Sequence, residues 1–176
     1  LDVGCGAGVL ACVAKRRRPG LEVVASDADD FAVESTRRSA AANELAVEAM
    51  GSDVYANVPG RFDVIVTNPP FHRGVGTEYG TARRIAREAP TKLRRGGTLW
   101  MVANHFLPWG EVLEESFAEV ERVHAGRRFK VWRATGARDS RRDPRKPQPP
   151  HLPRKGRPGG GSGTSVPRRR SCSSTP

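Results

Sequence analysis

Leu1-Asp2-Val3-Gly4-Cys5-Gly6-Ala7-Gly8-Val9-Leu10 is the stretch whose reading decides the fold. Three apolar or acidic residues suited to a strand end lead into glycines at alternate positions, and a helix-forming run follows from Val9 to Arg18. Such glycines let the backbone turn sharply and approach a ligand where a Cβ would collide. A loop between a strand and a helix lies at the carboxyl end of the strands, where open α/β sheets bind their ligands. A dinucleotide fingerprint fits poorly, because its third glycine would fall on Val9. Asp2 also points elsewhere: a carboxylate ahead of the loop can accept from an ammonium group or orient the loop itself. Asp2, Gly4, Cys5 and Gly6 are therefore the first candidate ligand-binding residues.

Working outward, strand-like and helix-like segments alternate as far as Thr135, which predicts an α/β domain with a mostly parallel sheet. Leu1–Val3 reads as the stub of a first strand and Leu21–Ser26 as a second. Ala46–Met50 reads as a third, Phe62–Thr67 as a fourth and Thr98–Ala103 as a fifth. Helices are predicted over Asp29–Ala42, over Thr77–Leu93 with an interruption near Pro90, and over Trp109–Phe117. The nearly all-apolar FDVIVT of the fourth strand predicts a position at the centre of a sheet covered on both faces. Val120–His124 and Arg127–Arg133 suit a terminal antiparallel pair.

Composition divides the chain of 176 residues into a globular part, 1–135, and a tail, 136–176. The tail holds eleven Lys and Arg against two acids, with eight Pro, six Gly and six Ser, so its net charge is +9. The globular part holds nineteen basic and seventeen acidic residues and is nearly neutral. Its charge alone does not argue for nucleic acid. The tail cannot bury enough apolar surface to offset the entropy of ordering and is predicted to be disordered, as a solvated extension, as an arm binding RNA phosphates, or as the product of a shifted reading frame. Three cysteines without paired metal spacing imply neither a disulfide framework nor a zinc site. No apolar run approaches the ~20 residues of a membrane helix. A cytoplasmic protein is expected, and a start without Met inside a strand reads as a fragment whose first strand is incomplete.

Two further positions carry chemistry. Asp27 ends the second strand, and an acid there can take hydrogen bonds from both hydroxyls of a ribose. Asp29 and Asp30 read as helix-capping acids, and Asp53 either accepts from an adenine amino group or is a turn acid. Asn68-Pro69-Pro70-Phe71 follows directly on the apolar fourth strand. Two prolines fix the backbone and remove two donors. An Asn amide and a fixed carbonyl together can hold the two hydrogens of a planar amino group, and an aromatic ring can stack on the base that carries it. Asn68, Pro69, Pro70 and Phe71 are the candidate catalytic residues, and Asn68 is also counted among the cofactor contacts. The combination points to methyl transfer from S-adenosyl-L-methionine (SAM). That displacement needs alignment above all and no metal. His72 and Arg73 are placed to touch RNA or simply to form a loop.

LDVGCGAGVL, GRFDVIVTNPPFH (60–72), VANHFLPW (102–109) and GRRFKVWRA (126–134) together resemble the catalytic domain of the ribosomal RNA small-subunit methyltransferase C family, within the methyltransferase small domain group. The resemblance spans roughly 1–135. It implies a class I SAM-dependent methyltransferase fold, Rossmann-like, with seven strands of which the last is antiparallel. It also implies transfer of methyl from SAM to the N2 amino group of a guanosine in 16S rRNA, with ribosomal RNA or the small subunit as partner. By position, Asp2, Gly4 and Gly6 match the SAM loop, Asp27 the ribose acid and Asn68 to Phe71 the catalytic motif, while the carry-over to Asp53 is weaker. The family's N-terminal domain has no counterpart in the chain, and the basic tail matches nothing in the family. The rivals are a methyltransferase for adenine N6 or protein glutamine, from which Phe71 in place of Tyr leans away from glutamine, and an inert domain whose tail binds nucleic acid.

Overall fold

A computed structural model describes residues 1–69, 76–104 and 108–138. Seven strands form one sheet: β1 (Asp2–Val3), β2 (Val24–Asp27), β3 (Glu48–Gly51), β4 (Phe62–Thr67), β5 (Leu93–Asn104), β6 (Phe117–Ala125) and β7 (Phe129–Ala137). Their order across the sheet is β3-β2-β1-β4-β5-β7-β6. The first five strands pair in parallel, and β7 runs antiparallel to both β5 and β6. The parallel sheet with its antiparallel last strand is the class I methyltransferase arrangement that the resemblance implies.

Helices α1 (Val9–Arg17) and α2 (Asp30–Ala42) follow β1 and β2, whereas α3 (Gly76–Lys92) and α4 (Trp109–Glu114) precede and follow β5. Lys15, Arg16 and Arg17 in the last turn of α1 complement the helix dipole, and the Asp29 side chain caps α2 by accepting from Phe31 N–H. Pro90 sits within the last turn of α3, which continues two residues beyond it.

The larger core lies where α3 and α4 meet one face of the sheet. Ile65, Leu99 and Met101 from the strands meet Ile85 and Ala86 of α3 and Trp109 and Leu113 of α4. A much smaller cluster of Cys5, Ala11 and Ala25 lies under α1. One expectation changes here. Strand β4 is central, between β1 and β5, but it is not covered on both sides: Val64 is 44% exposed, and Val66 and Trp100 are half-buried. Period-2 alternation places Val64 and Val66 on the face opposite Ile65, where burial is less complete. An apolar run shows that a strand prefers burial and does not say what buries it.

Strand β5 begins at Leu93, five residues before the sequence reading, because Leu93 pairs with Phe62 ahead of an irregularity in the ladder. Strand β7 extends to Ala137, past the compositional boundary at Thr135. Arg138 then donates its N–H to Ser116 O and its Nε to Phe117 O. The predicted disorder of the tail concerns positions that, from 139 on, lie outside the described residues.

Candidate active site

Strand register brings the separated motifs to one edge. Val3 pairs with Ser26 on one side and with Thr67 on the other, so Gly4, Asp27 and Asn68 emerge side by side at the carboxyl ends of three adjacent strands. Adjacent strands are about 4.8 Å apart. On the far side of β2, Asp27 pairs with Gly51, which leads into Ser52 and Asp53.

The glycine loop adopts left-handed backbone at each glycine, with φ of 69° at Gly4, 55° at Gly6 and 77° at Gly8. Two different needs are met. A Cβ at Gly4 or Gly6 would meet nothing within 4 Å, so open space borders the loop there. At Gly8 it would stand 2.8 Å from Thr36 Cγ2. The loop is tied down by polar contacts. Gly4 N–H and Cys5 N–H both donate to Ser26 O, at 2.8 and 3.0 Å, and Gly6 N–H donates to Asp27 Oδ2 at 2.9 Å. Thr36 Oγ1 donates to Gly6 O at 3.0 Å and lies 3.2 Å from Cys5 Sγ. Burial pushes the Cys5 thiol up from its ordinary value.

Asp2 is 1% exposed. Its Oδ2 accepts from Ala11 N–H at 3.0 Å, in the first turn of α1, while Oδ1 is buried without a partner among the described residues. Burial pushes its carboxyl up to about 6, against the lowering effect of the Ala11 N–H. A buried carboxylate oxygen without a donor is costly, and an ammonium group at the loop would satisfy it. Asp27 takes Gly6 N–H on Oδ2 and Asp29 N–H on Oδ1 at 3.1 Å. A carboxylate offers about four lone-pair positions, so capacity for a ribose remains.

Asp53, considered for an adenine contact or as a turn acid, is exposed. Both its oxygens lie 3.0 Å from Arg84 Nη1 on the surface. The turn after β3 is held by Ser52, 4% exposed, whose N–H donates to Asp27 O and whose Oγ accepts from Asn57 N–H and donates to Val54 O. Asn68 is exposed, its amide has no hydrogen bond among the described residues, and Pro69 is buried behind it. Pro70, Phe71, His72 and Arg73 lie outside the described residues. Thr67, 1% exposed, donates to Val3 O at 2.8 Å and fastens the end of β4 to the end of β1 directly before Asn68.

Thr36, Ser52 and Thr67 were not legible as site residues. Thr36 shares a helix stripe with Val33 and Ala40, and a threonine in a buried stripe is the one available signal. A cavity of about 280 Å³ lies between α1 and α2, lined by Gly8, Val9, Val13 and Leu45 among others. It shares Ala7 and Gly8 with the glycine loop but includes neither Asp27 nor Asn68. Among the described residues no group of His, Cys, Asp and Glu is arranged to hold a metal.

The family model of the methyltransferase small domain matches residues 1–133. The chain belongs to this family. It is 43% identical over 144 residues to the ribosomal RNA small subunit methyltransferase C of Yersinia enterocolitica, covering 82% of the chain and 41% of the relative. To the protein of that name from Chromohalobacter salexigens it is 48% identical over 138 residues, covering 78% and 41%. The chain thus spans about two fifths of the length of these curated relatives. Among solved structures it resembles a T. thermophilus 16S rRNA N2 methyltransferase in complex with AdoMet and guanosine, with TM-score 0.69 and 35% identity over 77% of this chain and 36% of that one. A ribosomal protein L11 methylase from Lactobacillus delbrueckii, TM-score 0.65 at 24% identity, shares the fold. SAM is the cofactor this membership implies, and the residues present fit it: a buried carboxylate oxygen without a donor, open space beside Gly4 and Gly6, and a strand-tip acid in reach of the loop.

Proposed function

We propose that the chain is the catalytic part of a methyltransferase that modifies the exocyclic N2 amino group of a guanosine in 16S rRNA. The observation that carries this reading is the β1–β4 register, which sets the exposed Asn68, without a hydrogen-bond partner for its amide among the described residues, beside Gly4 at the loop. Bound SAM supplies an activated methyl group on sulfur. Asp2 Oδ1 would meet the amino-acid ammonium and Asp27 the ribose hydroxyls. Asn68 Oδ1 would accept from the guanine amino group, while Pro69 and Pro70 hold the backbone so that a carbonyl takes the second hydrogen. Those two bonds would hold the nitrogen lone pair facing the cofactor side of the site and would be stronger with a pyramidal nitrogen than with a planar one, favouring the transition state over the ground state. Phe71 would stack on the base. The N2 position and the guanosine are favoured over adenine N6 by what the T. thermophilus relative is named for and bound to, and over protein glutamine by Phe71. Ribosomal RNA as substrate would place the work in the cytoplasm.

The test is Asn68→Ala, assayed by mass spectrometry of 16S rRNA incubated with SAM and by calorimetry of SAM binding. Methyl incorporation into guanosine is expected to fall by about 100-fold or more, with SAM affinity held within about twofold. Equal incorporation by variant and parent would overturn the reading.

A further inference from the structure

The β6–β7 hairpin carries a charge pattern that the chemistry above does not use. From Arg122 to Arg133 the chain holds five cations and no acid. Arg122, Arg127 and Arg128 are exposed and Lys130 is half-buried. Arg133 is paired with Glu121, whereas the other four make no ion pair among the described residues. Other cations of the domain are often engaged: Arg38 with Glu34, Arg83 and Arg87 with Glu115, Arg84 with Asp53 and Glu88, Arg94 with Asp63. The turn is closed by Gly126 N–H donating to Phe129 O at 2.8 Å, and Phe129 leaves 47% of its surface in solvent.

Topology decides where this pattern points. Because β7 is antiparallel to β5, the hairpin tip lies at the carboxyl end of the parallel strands, the edge that holds Gly4, Asp27 and Asn68. Phe129 stands opposite Asn104, three residues beyond Met101, which pairs with Thr67. At about 3.3 Å per residue and about 4.8 Å per strand, the tip is roughly 10 Å beyond Thr67 and two strands to the side. That is a span of a few nucleotides from the acceptor position.

We infer that Arg127, Arg128 and Lys130, with Arg122 behind them, form a phosphate-binding rail that holds the RNA strand flanking the target base, with Phe129 as a stacking surface for a neighbouring base. The inference rests on the proposed RNA methylation and adds how the strand is gripped. Unpaired cations on a closed turn bind phosphates through counterion release, and an exposed ring among them suits single-stranded RNA.

The experiment uses the whole chain and a fluorescein-labelled single-stranded 20-nucleotide RNA containing guanosine. One variant carries Arg127→Ala, Arg128→Ala and Lys130→Ala. Its control carries Arg17→Ala, Arg18→Ala and Arg95→Ala, three exposed cations at the opposite edge of the sheet, so that both lose the same charge and both keep the tail. At 0.1 M salt the hairpin variant is expected to bind about tenfold more weakly and the control within about twofold of the parent. The slope of log affinity against log salt should become shallower by about 2 for the hairpin variant, at about 0.7 per phosphate contact on a single strand. Equal losses in the two variants, or none in either, would overturn the inference. SAM calorimetry reports whether the hairpin variant is folded. Should it not be, Arg127→Gln with Arg128→Gln decides, with a slope shallower by about 1.4 expected and an unchanged slope fatal. Methylation of the same RNA by the parent keeps the two proposals apart: RNA gripped by the hairpin without methyl transfer sinks the activity alone, and transfer that ignores the hairpin sinks the rail alone.

Discussion

The two halves of the sheet are held by different forces. On the β4-β5-β7 side, Trp109, Phe117, Leu99, Met101 and Leu113 are fully buried in one large apolar cluster. On the β1-β2-β3 side that cluster takes in Leu1 and Val3 at β1, the cluster under α1 is Cys5, Ala11 and Ala25 with Val23 and Val47 against it, and the loop is fixed by hydrogen bonds to Ser26 O, Asp27 and Thr36. Apolar burial is tolerant of small displacements and contributes in proportion to area. Hydrogen bonds and left-handed glycines contribute less stability but fix geometry. The two halves share Leu1 and Val3 at β1 but lean on different interactions, so substitutions in them should fail in different ways.

The largest effect tests the apolar half. Trp109→Ala is expected to cost about 3–5 kcal/mol in urea unfolding, with any SAM effect following only from the loss of folded protein. A cost under about 1 kcal/mol would mean the large core does not hold the domain together. Next, Gly8→Ala forces a Cβ to 2.8 Å from Thr36 Cγ2 at φ 77° and should cost about 2 kcal/mol. In a Thr36→Ala background the contacts with Cγ2 and Oγ1 disappear while the one with Thr36 Cα at 3.1 Å remains, so the second substitution should cost about 1 kcal/mol less than in the parent. Strict additivity in that double-mutant cycle would break the claimed contact.

A smaller effect separates cofactor binding from stability through pH. The Asp2 carboxyl is held at about 6 in the folded chain against an ordinary 3.8, so the folded state keeps its proton longer than the unfolded state does. Its favourable share of stability is therefore complete below about pH 4 and is lost as pH rises to about 6. SAM affinity should move the other way, tightening about tenfold from pH 5 to 7 as the carboxylate forms to meet the ammonium. Calorimetry on Asp2→Asn should show that dependence flattened, and an unchanged profile would remove Asp2 from the site. The smallest effect is on the surface: Arg84→Ala, which breaks the exposed pair with Asp53, should leave the melting temperature unmoved.

Local chemistry made much of this legible in advance. Glycines at alternate positions, FDVIVT running into Asn68-Pro69, and Asp27 at a strand tip each announce their own local structure, because turn geometry and strand periodicity are short-range properties. The helix and strand order followed from them. The ends of β5 and β7 were missed because they depend on pairing partners distant in sequence. Thr36, Ser52 and Thr67 were missed for the same reason: Thr36 meets the loop 30 residues away, and Thr67 meets Val3 across 64.

The sequence by itself determined the order of elements, the loop that needs positive φ and the rigid Asn-Pro-Pro segment, since backbone sterics act within a few residues. Only the tertiary structure decided that Gly4, Asp27 and Asn68 stand abreast, that Asp53 is engaged by Arg84, and that the cationic turn of β6 and β7 lies at the same edge. Those outcomes are matters of strand register and direction, which are set by which faces can be buried together. No single segment contains that information.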